Sequence, residues 1–133
     1  MHILNPINFE TAPWEKSFPF GRRWKTADNL TVSLLTTLSR CILSSSEAKQ
    51  YPDLVTFGFF CRKANIQAEI RKISDLKTSI GWGTILHITP SNIPINFAYS
   101  FVMGLLSGNS NIVRLPSQFY PQNGLFLEIL GEI

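Results

Sequence analysis

The stretch from His87 to Pro94, HITPSNIP, sets two prolines, two hydroxyl side chains and an amide between two apolar runs. Such a turn has two uses. Asn92, just before Ile93 and Pro94, can cap a helix, its side-chain oxygen accepting from a first-turn amide. The same helix start leaves N–H groups and positive partial charge available to an anion. Further on, a second apolar run closes in Arg114-Leu115-Pro116-Ser117, so a guanidinium and a hydroxyl follow it. Two apolar runs that both end in polar groups are a stronger signal than either alone. No GxGxxG fingerprint is present, because Gly81 and Gly83 precede the first run and lack its context. The two cysteines, Cys41 and Cys61, form no CxxC or Cys/His cluster, which argues against a disulfide framework and a zinc site. Neither stands beside a cation at a helix start, so both are expected to be small buried side chains rather than thiolates. His87, inside an apolar run, is expected to be a structural histidine.

The elements that must position these groups follow from periodicity. Residues 1–28 read as an irregular, extended arm, with Pro6, Pro13, Pro19 and Gly21 among Phe9, Trp14, Phe18, Phe20 and Trp24. The aromatics of PWEKSFPFGRRW could stack on bases, but no RNA-binding motif follows. A strap packed on its own protein is the expected form. From Asp28 or Thr31 as cap, Leu30, Leu34, Leu35, Leu38 and Ile42 recur at helical spacing until Ser44-Ser45-Ser46. After Pro52, a second helical segment is expected, with Leu54, Phe57, Phe60, Cys61, Ala64 and Ile66 on one apolar face. TILHIT, after Gly81-Trp82-Gly83, predicts a strand. A helix over 93–107 with Pro94 in its first turn and Gly108 after its end comes next, then a strand in NIVRLP and a helix from Gly124.

That succession is a βαβ unit, whose two strands should be parallel. In open α/β sheets, ligands bind beyond the carboxyl ends of the strands, where both polar turns lie. A parallel sheet needs cover on both faces and further strands, so the chain reads as the opening portion of a larger α/β protein. The bulk composition agrees with one soluble globular unit: 133 residues, 44% hydrophobic, 16% charged, formal charge +3. The cations are scattered as Arg22, Arg23 and Lys25, then Arg62 and Lys63, then Arg71 and Lys72, which argues against a nucleic-acid face. The N-terminus lacks an apolar signal core, and Ile93 to Leu106 is too short for a bilayer span. A cytoplasmic setting is the expectation.

The stretch Gly81 to Ser117 resembles the start of the cofactor-binding domain in the aldehyde dehydrogenase superfamily. There a strand leads to a Pro-x-Asn turn, a helix ends in Gly-Asn, and a strand ends in a basic residue followed by Pro-Ser. HITPSNIPINFAYS and LLSGNSNIVRLPS are similar to the acyl-CoA reductase, LuxC-like fatty-acid reductase, branch, and YPDLVTFGFFCRKANI is similar to its helical lead-in. The resemblance covers residues 30–118 and, after the arm read over 1–28, implies a helical lead-in over 29–78 and the start of a Rossmann-variant nicotinamide cofactor-binding domain over 79–133. It implies a reductase that converts an acyl-CoA or acyl-carrier thioester to an aldehyde through an acyl-cysteine. Asn92 would be the oxyanion donor, while Thr89, Pro90, Ser91, Arg114, Pro116, Ser117 and Gln118 would line the cofactor site. Relatives that prefer NAD place a carboxylate after Pro-Ser, whereas this chain has Gln118, which implies NADP(H). Neither cysteine matches the family nucleophile, so these residues are expected to be inactive alone. They would act with a missing C-terminal portion or a companion subunit, in a homo-oligomer. The competing expectation is a non-catalytic interaction module or a gene remnant.

Overall fold

The computed structural model describes residues 2–4, 23–73 and 79–133. In chain order the elements are β1 (His2–Leu4), α1 (Asn29–Ser44), a 3-10 turn (Ala48–Gln50), α2 (Pro52–Phe60), α3 (Lys63–Arg71), β2 (Thr84–Ile88), α4 (Asn96–Leu106), β3 (Ser110–Arg114) and α5 (Pro121–Gly131). The expected mixed α/β architecture is present, with β2 and β3 parallel and α4 as their crossover. No helix among the described residues is long and apolar enough to cross a membrane.

Within α1 the expected cap is in place, as Asp28 Oδ1 accepts from Leu30 N at 2.9 Å. Its leucine stripe delivers Leu35, Leu38 and Ile42 to the core, and buried Ser39 donates to Gly58 O of α2 at 2.7 Å. The single second helix expected after Pro52 is instead two helices. Arg62 turns extended (φ −59°, ψ 140°), and Asn65 Nδ2 donates to Phe59 O at 2.7 Å across the break. Cys61 and Ile66 are both buried, yet a five-residue step on one straight helix would turn them apart by about 140°. The break brings both to the core and leaves Ala64 exposed, outside the apolar face expected for it.

The sheet has three strands rather than the expected two, in the order β1-β3-β2. β1 comes from the segment read as irregular, and it pairs antiparallel with β3 from His2↔Val113 to Leu4↔Asn111. Three residues flanked by proline-rich sequence carry too little pattern to read as a strand. The aromatic-rich stretch over residues 5–22 lies outside the described residues. Where the chain is described again it is stitched to the sheet: Trp24 N donates to Gly108 O at 2.9 Å, and Gly81 N donates to Trp24 O at 3.0 Å.

The end of α4 is fixed as its sequence predicts. Gly108 holds φ +81°, Gly108 N donates to Leu105 O at 2.9 Å, and Asn109 N donates to Gly104 O at 3.1 Å. These are the paired bonds of a glycine-terminated helix. The helix start differs from expectation, opening at Asn96 rather than Ile93, with Ile95 as N-cap and no side-chain capping bond. Asn92 is therefore not the cap. Pro94 disfavours helical geometry at the residue before it, so residues 91–95 form turns instead. At the other end of the chain, α5 begins at Pro121 rather than Gly124, because a first-turn proline starts a helix at no cost in backbone bonds.

The core is aromatic where α2, α4 and α5 meet. Phe57 stands edge-on to Tyr99 (centroids 5.0 Å apart, 87°) and to Phe126 (5.5 Å, 85°), and Phe97 stands edge-on to Phe126 (5.6 Å, 77°). Such pairs add to the area term of burial. Truncating Phe57 to alanine should lower the unfolding free energy by about 3 to 5 kcal/mol in a denaturant titration. A loss within measurement error would mean that this cluster does not organise the core. Burial pushes the Cys61 thiol up to about 12, from 9.0 in solvent. Between those values the unfolded chain releases a proton that the folded chain keeps, so raising the pH favours unfolding. Burial raises Tyr99 as well, with Cys61 and Asp53 adding to it, in the same sense. Stability should therefore fall as pH rises from about 9 towards 12, and fall less steeply in Cys61→Ala. Equal slopes for the two proteins would contradict this origin.

Candidate functional site

Parallel pairing sets Ile88 opposite Arg114, so the chain leaves β2 and β3 at the same edge of the sheet. Thr89, Pro90, Ser91 and Asn92 follow one strand, and Leu115, Pro116, Ser117 and Gln118 follow the other. Ser91, Asn92, Arg114, Ser117 and Gln118 are exposed, while Thr89 and Pro116 are half-buried. The two groups of sequence-predicted residues thus share one edge. β3 is buried from Ser110 to Val113, and Arg114 is its first exposed residue, so the guanidinium emerges where the sheet ends. From residue 78 to residue 127, Arg114 is the only Asp, Glu, Lys or Arg, so no carboxylate in that stretch competes for it. Thr89 Oγ1 is buried without a hydrogen-bond partner, a polar atom at this edge with its bonding capacity unused.

Below the edge, a polar network fixes the two strands. Asn109 Oδ1 accepts from Trp82 N at 2.6 Å and from Gly83 N at 3.2 Å, tying the start of β2 to the start of β3. Asn111 Nδ2 donates to Asn109 O at 3.0 Å, which turns its Oδ1 towards His87 Nε2 at 2.7 Å. The amide oxygen has no proton to give, so His87 donates from Nε2. His87 is half-buried, rather than buried as its place inside an apolar run suggests, and it joins β2 to β3 through this bond. A Cβ at Gly104 would overlap Asn111 Oδ1 and stand 2.9 Å from His87 Nε2, so glycine lets α4 lie directly on this network. Asn109 and Asn111 escaped the sequence reading, where Gly-Asn registered as a helix end. The available signal is a second asparagine two positions further, directly before the apolar pair Ile112-Val113.

Tyr120 is the other residue that sequence reasoning missed. Its hydroxyl donates to Ser91 O at 3.2 Å and joins the turn after β2 to the loop after β3. The cysteines take no part in this edge: Cys61 is buried on the helical layer and Cys41 is half-buried within α1. Arg62, next to Cys61 in sequence, lies over the Phe59 ring at 4.2 Å.

Residues 60–130 match the family model described as acyl-CoA reductase (LuxC), over more than half of the chain. No curated protein and no solved structure matches. The matched residues run from the last turn of α2 to α5 and hold the whole βαβ unit with both strand-end loops. On this match the chain belongs to the acyl-CoA reductase (LuxC) family.

Proposed function

We propose that these residues form the nicotinamide cofactor wall of a fatty acyl thioester reductase that uses NADP(H). The observation that carries this reading is the shared strand edge, in a chain of this family, with Arg114 as the one charged residue between residues 78 and 127. The Arg114 guanidinium is suited to a 2′-phosphate, which it can meet with two parallel bonds. Ser117 offers a hydroxyl to the ribose or its phosphate. Gln118 offers an amide where a carboxylate would repel that phosphate. Thr89, Pro90 and Ser91 form the facing wall, and the unused Thr89 Oγ1 is available to a bound polar group. The cofactor, when bound, supplies hydride.

Asn92 is free of the capping task and exposed, so its side-chain amide can donate to a thiohemiacetal oxyanion. The acyl-cysteine step draws its thiolate from outside these residues. Cys61, buried with its thiol held up at about 12, does not provide a nucleophile near neutral pH. In this reading the arm over 1–28 and the lead-in over 29–78 support the cofactor-binding portion over 79–133. A second reading, a non-catalytic interaction module, is favoured by exposed Trp82 just before β2 and exposed Leu86 and Ile88 on it.

Equilibrium binding to the chain separates the two. NADPH should bind more tightly than NADH, and Arg114→Ala should weaken NADPH by about tenfold to a hundredfold while leaving NADH nearly unchanged. Preference for NADH would overturn the cofactor assignment, and binding of neither would favour the interaction module. Without a thiolate from outside, the chain should yield no aldehyde from acyl-CoA, and measurable aldehyde would refute that division of labour.

A further inference from the structure

Tyr120 stands at the start of α5 as its N-cap residue (φ −134°, ψ 119°), with Pro121 behind it. Its carbonyl accepts from Asn123 N at 3.0 Å, and the same first turn is held to α2 by Gln122 Nε2 donating to Asp53 Oδ2 at 3.1 Å. Asp53 is itself fixed, as its Oδ1 accepts from Leu54 N at 2.9 Å. The Tyr120 ring therefore projects from an anchored helix start. Its hydroxyl crosses to Ser91 O, 29 positions earlier in the chain, at 3.2 Å. No side chain caps α4, so the turn from Ser91 to Ile95 lacks the bond that commonly fixes a helix entrance. The bond from Tyr120 holds that turn from the neighbouring loop.

We propose that Tyr120 is a positioning residue that clamps the turn after β2 to the loop after β3, setting Asn92 at a fixed span from Arg114 and Ser117. This rests on the cofactor reading above and deepens it. A ligand that touches one loop is indifferent to that span, whereas a dinucleotide lying across both depends on it. The clamp thereby couples the adenosine end of the site to its reactive end. It also transmits order, since a ligand that immobilises the loop after β3 immobilises the turn after β2 through the same hydroxyl.

The test compares the chain with Tyr120→Phe, which removes only the hydroxyl, using NADPH and the 2′-phosphoadenosine fragment as probes. The Kd for NADPH should rise about threefold to tenfold, the loss of one hydrogen bond, while the Kd for the fragment stays unchanged. Amide hydrogen exchange over residues 91–95 should speed up in the variant with the melting temperature held. No change in NADPH affinity, or equal weakening of NADPH and the fragment, would overturn the clamp while leaving the cofactor reading in place. If Tyr120→Phe fails to fold, the unaltered chain still decides. The fragment should then slow exchange over residues 91–95 as well as 115–120, and protection confined to 115–120 would overturn the clamp. If the unaltered chain binds neither probe, the cofactor reading fails and the clamp fails with it.

Discussion

Two buried asparagines carry the constraint on which the sheet and its edge depend. A buried amide without partners costs about 1 to 3 kcal/mol, so Asn109 and Asn111 fit only where their bonds are met. Asn109 meets them on the backbone of Trp82 and Gly83, and Asn111 on Asn109 and His87. Slipping β3 by one residue against β2 would turn Asn111 to the other face and leave these groups orphaned. The amides thus select one register. That register sets Ile88 level with Arg114, and so decides which loop residues share the sheet edge.

The electrostatics of that edge follow from what surrounds it. Arg114 is the one Asp, Glu, Lys or Arg of the βαβ unit, so the formal charge that this unit itself contributes at the strand ends is positive. The helical layer contributes mass and an aromatic core rather than reactive groups. Cys61 is kept protonated by the burial that makes it useful for packing. The buried thiol and the aromatic core thus lie in the helices, and the exposed polar residues that follow β2 and β3 lie in the loops beyond the sheet.

Much of this was legible in the sequence because local chemistry and tertiary packing agree. Asp28 caps α1, Gly108 ends α4, and the two apolar runs pair in parallel as their spacing predicts. The family match supports the resemblance seen in residues 81–117. Misreadings arose where an apolar stripe was taken as one rod, or where proline was weighed too simply. Cys61 and Ile66 belong to one core but to two helix axes, which periodicity alone cannot distinguish. Pro94 stands two residues before α4 opens at Asn96, whereas Pro121 is the first residue of α5, behind an extended Tyr120. β1 was illegible because three residues carry no period and their partner is more than a hundred residues away. Tyr120 was illegible because its role lies in one long-range bond.

The helix-to-strand junction from Gly104 to Asn111 has a further consequence for how such a chain can vary in length. Four positions there are committed: Gly104 to close approach, Gly108 to a left-handed backbone, and Asn109 and Asn111 to bonds within the sheet. An insertion of a single residue would break the helix terminus and the strand register together. Beyond Ile88 and Arg114 the backbone is held at fewer points, the Tyr120 bond to Ser91 O among them, and loop segments outside that bond can lengthen without disturbing the core. Indels are thus barred from the bottom of the unit and admitted at the top. The unit is free to vary its loops in length while the junction beneath keeps its size.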